Sequence, residues 1–244
     1  MPTFSPSAAL RDRVLAIDVI EQDGGEAHVL PSTSAVLGLQ VHGRVRAGEG
    51  LLSTAGVTGI QGGARRYGYE GPTVSLLVRF TPQGASCLGV PASALADRSV
   101  ALADLVTPAR ASEVSERMCE AGDAAARVQV VERLLLGLEW RPDPLIERAL
   151  VLLGAGPHER SLVAEVARTL AISERQLERR FLARVGITPK RFASLRRFEQ
   201  AVALARASES LTETALAVGY YDQSHFIRDF RRFAGATPGE LLGR

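Results

Sequence analysis

The sequence predicts an α+β chain of two domains. Residues 1–140 read as an antiparallel β-barrel with trailing helices, and residues 141–244 as an all-α domain of two helix-turn-helix units joined by a linker helix. Three observations predict this. Fourteen of the 23 glycines fall in the first 100 of the 244 residues, between short apolar runs. Behind Pro91 the texture changes to Ala, Glu, Arg and Leu at helical spacing. The C-terminal part then repeats itself at an offset of 49 residues. A chain of this length with 46% hydrophobic and 23% charged residues can bury a core in one large domain or two small ones.

In chain order, the apolar runs 35–41, 51–57 and 73–80 are separated by the turn-forming stretches 44–50, 62–63 and 82–84. Short strands with Gly/Pro punctuation are the pattern of a sandwich or barrel. Residues 109–138 then read as helical. Within them Val128, Val131, Leu134, Leu135 and Leu138 form an amphipathic stripe, which either packs on the barrel or serves as a dimer face. Trp140, Pro142 and Pro144 break the chain and set the domain boundary. The halves differ in charge. The first has 12 basic residues against 15 carboxylates, net −3, and the second 17 against 12, net +5. A basic module points to a polyanionic partner. Only one of the 29 basic residues is a lysine, Lys190, and arginine is the better fork for phosphate and guanine.

The repeat defines the unit of the second half. At the offset of 49, Ser161/Ser210, Leu162/Leu211, Arg179/Arg228, Phe181/Phe230, Gly186/Gly235, Thr188/Thr237 and Pro189/Pro238 are identical. Each unit reads as two short helices around a tight turn: the first over about 161–185, the second over about 211–234, with a linker helix over about 189–206. Ser173 and Asp222 are the helix caps, and Gln176 completes a capping box with Ser173. With Leu177, Phe181 and Val185 placed inward, Arg175 and Arg179 point outward with Glu178 at the edge. With Phe226, Phe230 and Phe233 inward, Ser224, Arg228 and Arg231 point outward, with Ile227 and Arg232 at the edges. Two short helices with a polar second helix suit the DNA major groove. Arg179 and Arg228 suit guanine, Gln223 and Ser224 can reach bases or phosphates, and Ile227 suits a thymine methyl. Arg180, Arg184, Arg231 and Arg232 are candidates for phosphate, although arginine-rich helix faces also occur as plain solvated surface. A linker helix of about 27 Å could set both second helices into grooves about 34 Å apart, on a bipartite site.

These residues resemble the AraC/XylS family of bacterial transcription regulators. Ser173-Glu174-Arg175-Gln176-Leu177-Glu178-Arg179-Arg180-Phe181, followed by Gly186-Ile187-Thr188-Pro189, is similar to the family's first motif, and Arg197, Glu199 and Ala201 to its linker pattern. Gly219-Tyr220-Tyr221-Asp222-Gln223-Ser224-His225-Phe226, with Phe230 and Gly235-Ala236-Thr237-Pro238, is similar to the second motif. The likeness covers about residues 142–244. It implies base-facing Arg175, Glu178 and Arg179 in the first unit, and Gln223, Ser224, His225 and Arg228 in the second. Glu178 departs from a purely basic contact face: it could accept from cytosine N4 or pair with a neighbouring arginine. The resemblance also implies a cupin-like sensor domain with dimerising helices over residues 1–140, a small-molecule effector, a homodimer, and RNA polymerase as the partner of an activator.

Other chemistries lack their residues. The four histidines, His28, His42, His158 and His225, form no ligand cluster, so neither a metal nor another cofactor is expected. Cys87 and Cys119 form no paired motif, which fits a reducing compartment, and Cys87 reads as a small buried residue. No signal peptide, membrane span or nucleotide-binding loop is apparent, and a cytoplasmic protein is expected. No effector-contact residues are assigned. Arg44, Arg46, Arg65, Arg66 and Arg79 are the cations available to an acidic effector, and Tyr67, Tyr69 and Phe80 the aromatics available to an apolar one. Two alternatives stay open: a ligand-independent regulator whose first domain only dimerises or binds a protein, and a cupin-type enzyme fused to DNA-binding helices.

Overall fold

A computed structural model describes residues 2–155, 162–207, 210–220 and 222–242. Ser161, His158 and Tyr221, each singled out in the sequence, lie outside the described residues.

The first half is one antiparallel sheet of eight strands: β1 (Thr3–Phe4), β2 (Val14–Gln22), β3 (Gly25–Val29), β4 (Val36–Ala47), β5 (Gly50–Leu51), β6 (Ala55–Thr58), β7 (Arg65–Phe80) and β8 (Ser99–Ala101). Its main path is β1-β2-β7-β4-β6-β8, with β3 on β7 and β5 on β4. The long strands β4 and β7 make it barrel-like because each bends. The register of their pairing shifts on both sides of His42. Gly43 sits there at φ 79°, and a Cβ on it would lie 2.6 Å from the Pro72 carbonyl oxygen, so only glycine fits. Beyond the bend, Val45 pairs with Tyr69; before it, Leu37 pairs with Val78 and Leu39 with Leu76.

The period of two along the strands sorts side chains between two spaces. Leu37, Val57, Leu76 and Val78 enter a core shared with helices α1 (Pro108–Glu120) and α2 (Ala124–Leu136). Their neighbours Gly38, Thr58, Ser75 and Leu77 line a cavity of about 320 Å³ instead. Helix α1 starts at Pro108 behind the Thr107 cap, and Asp123 caps α2. The stripe of Val128, Val131, Leu134 and Leu135 is buried in this core, with Leu138 packed at its margin. Between the two readings of that stripe, it packs on the sheet.

The second half holds α3 (Pro144–Ala155), α4 (Leu162–Thr169), α5 (Glu174–Val185), α6 (Pro189–Ala207), α7 (Leu211–Ala217), α8 (Gln223–Ala234) and α9 (Pro238–Leu242). Phe181, Phe198, Phe226 and Phe230 are fully buried at its centre. Each such side chain contributes up to about 3 kcal/mol of hydrophobic stabilisation. Phe198 of α6 meets Phe230 edge-on at 5.2 Å and Phe233 at 5.0 Å, which seats α8 on the linker helix. Ile60, from the loop after β6, belongs to this second core, with Leu30 and Ala96 packed against it. The two halves are therefore joined by apolar contact as well as by the chain.

Candidate nucleic-acid interface

Each unit is built by the same local chemistry. Helix α4 ends where Ala171 turns left-handed at φ 54°, with the Ile172 N–H donating back to the Ala167 carbonyl. Helix α7 ends at Gly219, φ 77°, with the Tyr220 N–H donating to the Ala215 carbonyl. The Ser173 hydroxyl then accepts from the Gln176 N–H at 3.2 Å while the Gln176 side-chain oxygen accepts from the Ser173 N–H at 3.0 Å. Asp222 caps α8 by accepting from the His225 N–H at 2.6 Å. The caps keep the 49-residue offset, but the ends of α4 and α7 are related by 48 residues. The second turn is thus one residue longer, a difference that a single repeat offset hides.

The caps fix the rotation of α5 and α8. Leu177, Phe181 and Val185 face inward, as do Phe226, Phe230 and Phe233. Arg175, Glu178, Arg179 and Arg180 on α5 are exposed, as are Gln223, Ser224, Arg228 and Arg231 on α8. Among the described residues none of these side chains is held by a hydrogen bond or ion pair, although the Arg231 charge acts on Glu240, and Glu178 pairs with no arginine. His225 is half-buried with its ring edge-on to Tyr220, and Ile227 is half-buried too. The other two candidate arginines, Arg184 and Arg232, are engaged. Arg184 donates to the Arg141 carbonyl at 3.1 Å. Arg232 pairs with Asp229 and stacks on Phe233. Arg197, 7% exposed on α6, binds Asp229 at 3.0 Å and lies 4.3 Å above the Tyr220 ring, tying the linker helix to the second unit. The face of free arginines is therefore narrower than the sequence offered.

The first half grips the same helices. The Thr33 N–H and hydroxyl donate to Glu199 of α6 at 2.8 and 3.0 Å. The Asp97 carboxylate accepts from the Gly62 N–H at 2.6 Å and from Arg191 of α6 at 2.7 Å. The Ala64 N–H donates to the Phe233 carbonyl in the last turn of α8 at 2.7 Å. Asp97 holds φ 57°, a left-handed backbone uncommon outside glycine. Residues 30–34 and 59–65, which supply Thr33, Gly62 and Ala64, also form part of the cavity wall. This clasp was not foreseen from the sequence.

Of the residues considered for an effector, Arg65, Tyr67 and Tyr69 line the cavity. Arg44 and Arg46 pair with Glu70, Arg79 pairs with Asp18, and Phe80 is core. Among the described residues no three His, Cys, Asp or Glu side chains come together as a metal site, and no helix is long and apolar enough to cross a membrane.

Comparison with known proteins places these features. A helix-turn-helix domain family matches residues 166–244. The regulator ArgR of Pseudomonas aeruginosa is 30% identical over 132 residues, 50% of this chain and 40% of that protein. An AraC-like transcription regulator of Streptomyces lividans is 32% identical over 127 residues, 47% of this chain and 42% of its own length. The chain thus spans about two fifths of these relatives. The structure of ToxT from Vibrio cholerae superposes over 93% of this chain and 96% of its own, with a TM-score of 0.50 at 13% identity, a likeness of fold alone. The second part of the chain, with its paired helix-turn-helix units, is thus similar to a helix-turn-helix domain family and to AraC-like regulators.

Proposed function

We propose that the chain is a sequence-specific DNA-binding transcription regulator, an activator controlled by a small molecule through residues 1–140. The observation that carries this is the equivalence of Arg179 and Arg228: two exposed, unpartnered arginines at the same register on two helices seated by equivalent caps. In this reading Arg175, Glu178 and Arg179 face one box of the site, and Gln223, Ser224, His225 and Arg228 the other. Glu178, free of any arginine, accepts from a cytosine amino group. Arg180 and Arg231 take phosphates. Arg184 and Arg232 are already engaged and serve the backbone only if those contacts are exchanged. Residues 1–140 form the sensing domain, with α1 and α2 as its trailing helices. RNA polymerase, a homodimeric partner and a cytoplasmic setting belong to the same proposal.

The test is fluorescence anisotropy of the full chain on a selected duplex and on scrambled duplexes. Arg228→Ala is expected to cost about 1–3 kcal/mol on the selected duplex and to relax its specificity, whereas Arg231→Ala weakens binding to all duplexes alike. Unchanged affinity of Arg228→Ala for the selected duplex contradicts the assignment.

A further inference from the structure

We propose that an open groove between the first half and helix α5 binds a small organic polyanion, a phosphate ester or a polycarboxylate. The groove shares no lining residue with the cavity in the sheet, nor with the exposed Arg179 and Arg228. It encloses about 500 Å³, the size of a small-ligand pocket, and is walled by residues 86–89, the start of α1, the end of α2 and the last turn of α5. Its charged lining residues are Arg110, Glu139, Arg141 and Arg184. Glu139 pairs with Arg141. Arg110 and Arg184, both half-buried, have no carboxylate among the described residues: Arg110 donates to the Leu134 carbonyl at 3.4 Å and Arg184 to the Arg141 carbonyl at 3.1 Å. A third cation stands behind the wall. Arg13, 6% exposed, donates to the carbonyl of the lining residue Leu138 at 3.3 Å, and its Nε is buried with no partner. Burial raises the thiol of Cys87, another lining residue, and the Arg13 charge opposes that rise. A carbonyl accepts a hydrogen bond but does not cancel a charge. Three positive charges therefore stay uncompensated around the groove, which is costly for half-buried and buried groups until an anion joins them. Capping the carbonyl end of α2 does not account for them, because each arginine spends one N–H on it and a guanidinium has five. The Ser86 hydroxyl, which also lines the groove, is buried without a partner and is a further donor for an anion. Guanidinium forks fit phosphate and carboxylate, and Leu88, Leu105 and Val106 offer a surface to the carbon part of the ligand. A ligand held by both Arg110 and Arg184 would tie α5 to the first half.

The full chain, free of DNA, is titrated calorimetrically with pyrophosphate and with citrate at constant ionic strength. We expect saturable binding of one anion per chain, and the tighter of the two probes separates a phosphate ligand from a polycarboxylate. Arg110→Gln and Arg184→Gln should each weaken that binding about tenfold or more. Glu139→Gln removes the carboxylate that lines the groove and should tighten binding about twofold to fivefold, a gain that loss of a structural contact does not produce. This variant keeps the test decisive if an arginine variant does not fold. Arg179→Gln combined with Arg228→Gln, on the exposed faces of α5 and α8, should leave anion binding unchanged. No saturable binding of either probe, affinity unchanged by Arg110→Gln, Arg184→Gln and Glu139→Gln, or loss of binding in the Arg179→Gln and Arg228→Gln double variant overturns the proposal.

Discussion

Tyr220 shows how much a single side chain carries here. Burial pushes its phenol up from 10 to about 12, with the Asp229 carboxylate adding to the shift and Arg197 opposing it. Burial likewise pushes the Cys87 thiol from 9 to about 11. Both groups are raised in the folded chain, so the stability they protect is present below their ordinary values and is lost as pH rises through 9–12. The melting temperature should therefore fall across that range, and Tyr220→Phe should remove the upper part of the fall. The Tyr220 hydroxyl is buried beside the Arg197 guanidinium, so the same substitution should cost no more than about 1.5 kcal/mol at pH 7. An unaltered alkaline profile contradicts this. At this scale the sequence is legible where a residue acts locally: Arg179 and Arg228 stood out through the repeat. It is not legible where the partner is distant, as for Asp229, 32 positions from Arg197.

At the scale of elements, caps and turns were legible because their chemistry is contained within four or five residues. Ser173, Asp222 and Gly186 each do what their residue types predict. The extra residue in the second turn is hidden by the 49-residue offset alone but follows from the turn residues, Ala171 and Ile172 in the first unit against three from Gly219 in the second. The repeat also supplies a paired experiment. Gly186 and Gly235 both close their helices at positive φ, 92° and 72°. A Cβ on Gly186 would lie 2.6 Å from the Ala92 carbonyl oxygen, whereas one on Gly235 meets nothing within 4 Å. Gly235→Ala should cost about 1 kcal/mol of backbone strain. Gly186→Ala should cost about 1–3 kcal/mol more, because the first half must also shift. Equal losses in denaturant unfolding would mean that the contact between α5 and residue 92 does not constrain the fold.

For the whole molecule, composition and the charge difference between the halves were enough to propose two parts of different character. How they are held together was not readable, because the clasp joins residues 94 and 166 positions apart through ordinary Thr, Asp, Arg and Glu side chains. The clasp ties segments that border the cavity to the linker helix and to the end of α8, which in the proposed function is a route between the two parts. Asp97→Asn keeps a residue tolerant of the left-handed backbone and removes the charge that holds Arg191. The pair is half-exposed, so global stability should fall by no more than about 1 kcal/mol. Amide exchange should nevertheless quicken in residues 59–65 and in the first turns of α6 while α1 and α2 are unaffected. Exchange unchanged at both places means that the clasp does not couple the halves.

The central claim is that one chain reads two boxes of DNA with two equivalent helices. Sequence selection from random duplexes by the full chain, repeated with Arg179→Ala and with Arg228→Ala, tests it most directly. The account predicts a bipartite motif with boxes about one helical turn apart, Arg179→Ala relaxing one box and Arg228→Ala the other. A single box, no motif, or both substitutions relaxing the same box would contradict it.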